Sequence, residues 1–320
     1  MSNLLEIKNL SVVISEDKRV LVNDVSFDIK PGEAVGVVGE SGSGKTLSAL
    51  SILGLLARGL KIESGEIRFK GADLLKSSAE DLRNIRGKEI AVIYQDPMTA
   101  LNPVMKIGEQ LQEVLDSHQH QITDQRSHIL NGLAAVGIAD PIRAFDSYPH
   151  EFSGGMRQRV MIAMSLLLSP ELLIADEPTT ALDVTIQRQI LALVAKERKR
   201  RNMSMLWITH DLGVVANLVD RVIVMYAGRV VETGTVDEIF KAPKHPYTAG
   251  LLASLPAAGR DRERLESIPG VPPKPWQVLN TCAFAPRCKE ARDICSSHRP
   301  ELTSNNSSSV ACFFPLGAKQ

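Results

Sequence analysis

The sequence of 320 residues predicts an α/β fold: a parallel sheet, interrupted by an inserted α-helical subdomain and followed by an irregular, cysteine-containing C-terminal extension. Three observations predict it. Several short apolar runs have the length and character of strands buried on both faces, and each stops at a polar residue suited to phosphate chemistry. Between residues 96 and 168 the spacing turns helical. From about residue 241 the composition shifts to proline, with Pro269, Pro272, Pro273 and Pro275, and then to serine and asparagine at residues 303–309.

The first apolar run, residues 34–38, leads into GESGSGKT at residues 39–46 and then into a helix-like segment at 47–53. Glycines here let consecutive N–H groups turn inward around anionic oxygens. Lys45 can reach the outer phosphates, Thr46 can offer its hydroxyl to Mg²⁺, and the helix aims its N-terminal amides at the same place. Gly39, Ser41, Gly42, Ser43, Gly44, Lys45 and Thr46 are therefore candidate nucleotide-binding residues. A flexible turn explains the glycines but not the order strand, loop, helix.

Three more runs follow the same rule. Residues 90–94 precede Gln95, residues 172–175 precede Asp176 and Glu177, and residues 205–209 precede His210. Ligands of open α/β sheets sit beyond the carboxyl ends of the strands, so these runs can deliver their polar residues to one crevice. Asp176 suits Mg²⁺, directly or through water, and Glu177 suits polarising the water that attacks a γ-phosphate. His210 can hydrogen-bond that phosphate.

Within the insertion, residues 104–117 and 125–136 have helical spacing, Gly137 suits a C-cap, and a long apolar segment follows Phe152-Ser153-Gly154-Gly155. Arg221 to Tyr226 and residues 229–233 flank Ala227-Gly228 as a hairpin. The expected division is residues 1–95 and 169–240 as a nucleotide-binding core with an N-terminal β subdomain, 96–168 as a helical subdomain, and 241–320 as the extension.

Lys plus Arg and Asp plus Glu are both 37, so no net field draws the chain to nucleic acid or an anionic membrane. The basic run from Lys196 to Arg201 falls at an apparent helix end, where cations suit the dipole. No apolar run has the roughly 20 residues of a membrane span, and MSNLLEIKNL lacks the features of a signal peptide, so a cytoplasmic location is expected.

Together these residues resemble the ATP-binding cassette (ABC) family over residues 4–240. Phe152-Ser153-Gly154-Gly155-Met156 looks like its signature, usually written LSGGQ, with the central Ser-Gly-Gly intact. The resemblance implies that Ser153, Gly154 and Gly155 act on a nucleotide held by the opposite subunit of a head-to-tail dimer. It assigns Gln95 to the Q-loop, as a catalytic and Mg²⁺-binding residue beside Thr46 and Asp176, Asp183 to the D-loop and His210 to the switch histidine. Ile14 falls where the family commonly stacks the adenine on an aromatic ring.

His245-Pro246-Tyr247-Thr248, residues 251–256, Ile268-Pro269-Gly270 with Pro272-Pro273, and the cysteine tail resemble the ATPase subunits of bacterial dipeptide and oligopeptide importers, the peptide/nickel family. That implies a subunit that hydrolyses ATP to power peptide import through a separate permease, peripheral at the cytoplasmic face of the bacterial inner membrane. Implied partners are a second homologous ATPase, as a heterodimer in preference to a homodimer, two transmembrane permeases and an extracytoplasmic solute-binding protein, with no nucleic acid. Residues 96–103 would face the permease. Import of nickel or another small solute is the alternative, and a soluble non-transport ABC ATPase is the alternative of a different class.

Cys282, Cys288, Cys295 and Cys312 have the spacing C-x₅-C-x₆-C-x₁₆-C. A reducing compartment disfavours disulfides, and structural zinc sites typically use close C-x₂₋₄-C pairs. Four thiolates can also hold a [4Fe–4S] cluster. The importer resemblance implies such a cluster, with a phrase like Phe284-Ala285-Pro286-Arg287-Cys288 around the second ligand and a structural role in a segment poor in apolar residues, Zn²⁺ being the alternative.

Overall fold

In a computed structural model of the chain, residues 2–118, 122–180, 182–255, 267–305 and 308–317 are described. Pro256 of the C-terminal pattern and residues 306 and 307 of the Ser/Asn stretch lie outside the described residues. The strands are β1 (Leu5–Ile14), β2 (Val20–Ile29), β3 (Ala34–Val38), β4 (Leu60–Phe69), β5 (Ala72–Asp73), β6 (Ile90–Ile93), β7 (Leu172–Asp176), β8 (Ser204–Thr209), β9 (Arg221–Tyr226), β10 (Arg229–Thr235), β11 (Thr303–Asn305) and β12 (Ser308–Val310). The chain divides into two compact units: Met1–Lys76 with Trp207–Gln320, and Ser77–Leu206.

The first unit holds the antiparallel sheet β2-β1-β4-β5 and the strand series β11-β12-β10-β9-β3. In β1 Leu5 and Ile7, then Leu10 and Val12, are buried, the alternation changing parity at the register shift between Ile7 and Leu10. β3 is buried throughout and pairs in parallel with β9, Val35 opposite Arg221 and Val38 opposite Val224. The Asp220 carboxylate accepts from the Ala34 N–H at 2.8 Å, and Arg221 donates to Glu33 at 2.8 Å, so the entry to β3 is anchored by side chains of the β9 end. The hairpin expected around Ala227-Gly228 is present; φ of 46° and 80° give the turn whose twist suits two strands. The extension departs from the irregular structure expected: it carries helices Pro246–Ala253 and Asp293–Ser297, β11 pairs with β12, and β12 pairs antiparallel with β10, Glu232 opposite Val310. The Ser/Asn stretch thus completes a ladder that its composition does not announce.

In the second unit β6 and β7 pair in parallel, Ile90 opposite Leu172 through Ile93 opposite Ala175. Helices Ile107–Ser117, Gln125–Ala135, Pro141–Asp146 and Gly154–Leu166 pack around Leu111, Leu115, Ile129, Leu133, Val160 and Ile162, all fully buried. The first helix begins at Ile107 instead of residue 104. Pro103 precedes a turn in which the Gln110 side chain accepts from Asn102 N–H and donates to the Asn102 and Met105 carbonyls, and Glu109 receives the Lys106 N–H. Helix Val184–Arg201 ends in Arg198, Lys199, Arg200 and Arg201, and Glu197 takes both Arg200 (2.6 Å) and Arg201 (3.1 Å), so the basic run is a helix terminus. Among the described residues, no helix is long and apolar enough to cross a membrane.

Candidate functional site: a phosphate loop and a second glycine-bearing helix start

In the first unit, β3 delivers the chain into the glycine loop, and helix Lys45–Ile52 starts directly after it. Gly44 is the N-cap, at φ 97°, a conformation that excludes most side chains, and no side chain caps this helix. A helix start without a side-chain cap suits an anionic ligand. Lys45 is buried, and its Nζ donates to the carbonyls of Gly39 (2.8 Å) and Glu40 (3.1 Å). Gly39 is buried as well, whereas Ser41, Gly42 and Thr46 are exposed. The Ser43 hydroxyl is buried with no hydrogen-bond partner. An orphaned donor beside uncapped amides and a lysine is the chemistry a polyphosphate satisfies, so the loop fits the nucleotide. His210 follows β8 and is exposed, and Ile14 ends β1, half-buried and opposite Leu60.

The second unit carries the other expected residues. Gln95 lies exposed just after β6. Asp176 ends β7 and is buried, while Glu177 sits at φ 45°, left-handed for a non-glycine residue, with the Thr180 hydroxyl donating to its carboxylate at 3.0 Å. Such strain persists only where the surroundings enforce it, and it clusters at functional positions. Ser153 is the N-cap of helix Gly154–Leu166, its Oγ accepting from Met156 N–H at 3.3 Å. A Cβ on Gly155 would lie 2.9 Å from Ile186 Cγ2, so helix Val184–Arg201 approaches too closely for a side chain there; on Gly154 it would meet nothing. Phe152 is buried, which makes the first signature position a core anchor. Asp183 caps helix Val184–Arg201, accepting from Thr185 and Ile186 N–H at 3.0 and 2.9 Å.

Residues 22–180 match the ABC transporter family, and residues 231–295 match the C-terminal region of oligopeptide/dipeptide transporters. The chain is 46% identical over 317 residues to the dipeptide transport ATP-binding protein DppD of Escherichia coli (strain K12), covering 98% of this chain and 97% of that one. The chain belongs to the ABC transporter ATP-binding family. This ABC subunit is also 48% identical over 318 residues to the oligopeptide transport ATP-binding protein AppD of Bacillus subtilis (strain 168), again covering 98% and 97% of the two chains. Its fold matches the dimeric post-hydrolysis structure of the ATP-binding cassette MJ0796 bound to ADP and Pi, with a TM-score of 0.65 and 26% identity over 72% of this chain and 98% of that one. Like its family, it is an ATP hydrolase.

The cysteine expectation is corrected. Cys282, Cys288, Cys295 and Cys312 carry free thiols and border one narrow cavity of about 10 Å³ with Phe284, Phe313 and Phe314. That volume holds about one water. Among the described residues no group of three or more His, Cys, Asp or Glu side chains is arranged to hold a metal ion, so neither the [4Fe–4S] cluster nor its Zn²⁺ alternative stands. Burial pushes the Cys282 and Cys288 thiols up and Cys312 up to about 11. Order in the tail comes from other sources. Phe284 packs at 5.4 Å on both Tyr226 and Tyr247, Arg292 lies 3.9 Å over the Phe314 ring, and β12 joins β10. The sequence reading missed Glu40, Tyr226 and Arg287, whose contacts join segments far apart along the chain and which no sequence signal links.

Proposed function

We propose that this chain is the ATPase subunit of a bacterial importer that takes up di- and oligopeptides through a separate membrane permease. The observation that carries this is the pairing, in one chain, of the ABC core at residues 22–180 with the oligopeptide/dipeptide C-terminal region at 231–295. Near full-length identity to proteins named for dipeptide and oligopeptide transport supports it.

In this reading Ser43, Lys45 and the uncapped amides around Gly44 hold the phosphates. Thr46, Gln95 and Asp176 are the residues that would hold Mg²⁺, which neutralises charge on the β- and γ-phosphates when bound. Glu177 accepts a proton from the attacking water, and His210 donates to the γ-phosphate. Ile14 packs against the adenine. Ser153, Gly154 and Gly155 act on nucleotide held by the second ATPase subunit, a homologous partner in preference to a copy of this chain. Gln95 and residues 96–103 pass that state to two permeases at the cytoplasmic face of the inner membrane, and a solute-binding protein delivers peptide from outside. The dimeric MJ0796 cassette with ADP and Pi supports a two-subunit site.

The test is uptake of labelled di- and tripeptides by vesicles containing the whole complex. ATP-dependent peptide accumulation, lost with Lys45→Ala in this chain, is expected. Accumulation of nickel without peptide, or ATPase activity with no uptake of either, would overturn the peptide assignment.

A further inference from the structure

The second residue of the phosphate loop is a glutamate, an awkward charge beside a site for polyphosphate. A carboxylate there repels the ligand unless something neutralises it. The neutralising group comes from the C-terminal extension. Arg287 Nη1 donates to Glu40 Oε2 at 2.6 Å and Nη2 donates to Glu40 Oε1 at 2.9 Å, a two-pronged pair with the arginine only 5% exposed. The remaining donors are also committed: Nε to the Pro269 carbonyl (2.8 Å), Nη1 to the Tyr226 hydroxyl (3.1 Å) and Nη2 to the Ile268 carbonyl (3.3 Å). An arginine has five N–H donors, and these five bonds account for all of them. The Glu40 carboxylate raises the guanidinium's pKa, so this cation is permanent.

The extension also holds Glu40 by its backbone. Glu40 N–H donates to the Tyr247 hydroxyl at 2.8 Å. Tyr247 is fully buried and packs 4.5 Å from the Tyr226 ring, with Phe284 at 5.4 Å from each. The Gly39 and Glu40 carbonyls are in turn the acceptors of Lys45 Nζ. One unbroken series of contacts therefore runs from Arg287 and Tyr247, through Glu40, to the lysine that meets the phosphates.

We propose that Arg287 and Tyr247 of the C-terminal extension are positioning residues for the phosphate loop, Arg287 cancelling the Glu40 charge and Tyr247 fixing the Glu40 amide, so that the extension sets the subunit's affinity for ATP. The proposal rests on the ATP-binding reading of residues 39–46. It gives the extension a part in the hydrolytic cycle that is separate from the choice of transported solute.

The test is a KM and kcat series in the assembled complex, with equilibrium ATP affinity and melting temperature measured on the same samples. Arg287→Ala leaves the carboxylate uncancelled and should raise the KM for MgATP roughly tenfold with kcat within about twofold. Glu40→Gln and Tyr247→Phe, each milder, should raise it roughly threefold. Arg287→Lys keeps the charge but loses the fork, and should fall between wild type and Arg287→Ala. The Glu40→Gln/Arg287→Ala double variant should bind ATP no worse than Arg287→Ala alone, because the repelling charge has gone with its partner. Two results overturn the proposal: melting temperatures that fall while KM stays at the wild-type value in Arg287→Lys and Tyr247→Phe, or a double variant whose defect is the product of the single defects. Failure of the underlying reading looks different, since the wild-type complex would then show no ATP binding sensitive to Lys45→Ala.

Discussion

Helices Lys45–Ile52 and Gly154–Leu166 both begin in glycine-bearing loops, yet the two starts are built oppositely. The first has no side-chain cap, a left-handed glycine, a buried lysine and an orphaned hydroxyl, and it is braced from behind by Arg287 and Tyr247. The second is capped by its own Ser153, is anchored by buried Phe152 and leaves Gly154 open on the surface. A loop that must enclose a ligand leaves its own polar groups unsatisfied until the ligand arrives, at a cost in stability that the surroundings must cover. A loop that only touches a ligand presented from elsewhere can satisfy itself in advance.

The largest effect that sharpens this contrast is chemical. Glu177→Gln should cut turnover of the assembled complex by about 10²–10⁴-fold while ATP binding at the first loop persists, measured as kcat against nucleotide affinity. Rapid turnover by that variant would remove the base from the mechanism. Next in size is packing at the second loop: Gly155→Ala meets Ile186 at 2.9 Å and should destabilise the protein by about 1–3 kcal/mol, whereas Gly154→Ala, which meets nothing, should lie within about 0.5 kcal/mol of wild type in denaturant melts. Equal losses at the two glycines would break the account of the close approach.

A third prediction tests the brace behind the first loop by pH. His245 is buried, and burial pushes its pKa down to about 4; its Nδ1 accepts from Tyr247 N–H at 3.0 Å, which requires the neutral ring. The folded pKa lies below the unfolded value of about 6.5, so this contribution is present above pH 6.5 and is lost as pH falls toward 4. Between pH 6.5 and 5.5 the loss should be about 1 kcal/mol, and His245→Asn should flatten that limb of the stability profile. Glu232, whose carboxylate accepts from the Lys244 and His245 amides, has its pKa raised by burial; it binds its proton more tightly in the folded state and partly offsets the loss. The smallest effect is expected from Ser153→Ala, about 1 kcal/mol of stability from the lost cap, with ATP affinity of the isolated chain unchanged.

Much of this was legible in sequence because it is local. Strand, glycine loop and helix follow one another within residues 34–52, and Ser153 stands directly before the helix it caps. The hairpin at Ala227-Gly228 was equally readable, from two apolar runs flanking a two-residue break that ends in glycine. The Glu40–Arg287 pair was not, since 247 positions separate its members and neither periodicity nor spacing links them. β12 escaped for a related reason: three residues, Ser308 to Val310, acquire strand structure from pairing with β10 on one side and β11 on the other. The four cysteines misled because clustering in sequence is shared by metal sites and by thiols merely packed around an aromatic cluster, and the arrangement of the side chains in space is what tells the two apart.

The pairing of β12 with β10 also sets an order of events during synthesis. β10 is complete at Thr235, but the strand that covers its free edge ends at Val310. At ribosomal speeds of about 5–20 residues per second, that edge waits roughly 4–15 seconds for its cover. Throughout that interval a nascent chain presents an unpaired ladder of the kind that recruits other strands. Synthesis through Val310 is thus the step that covers this edge, and chains halted between Thr235 and Ser308 should be recovered with chaperones bound or in inclusion bodies.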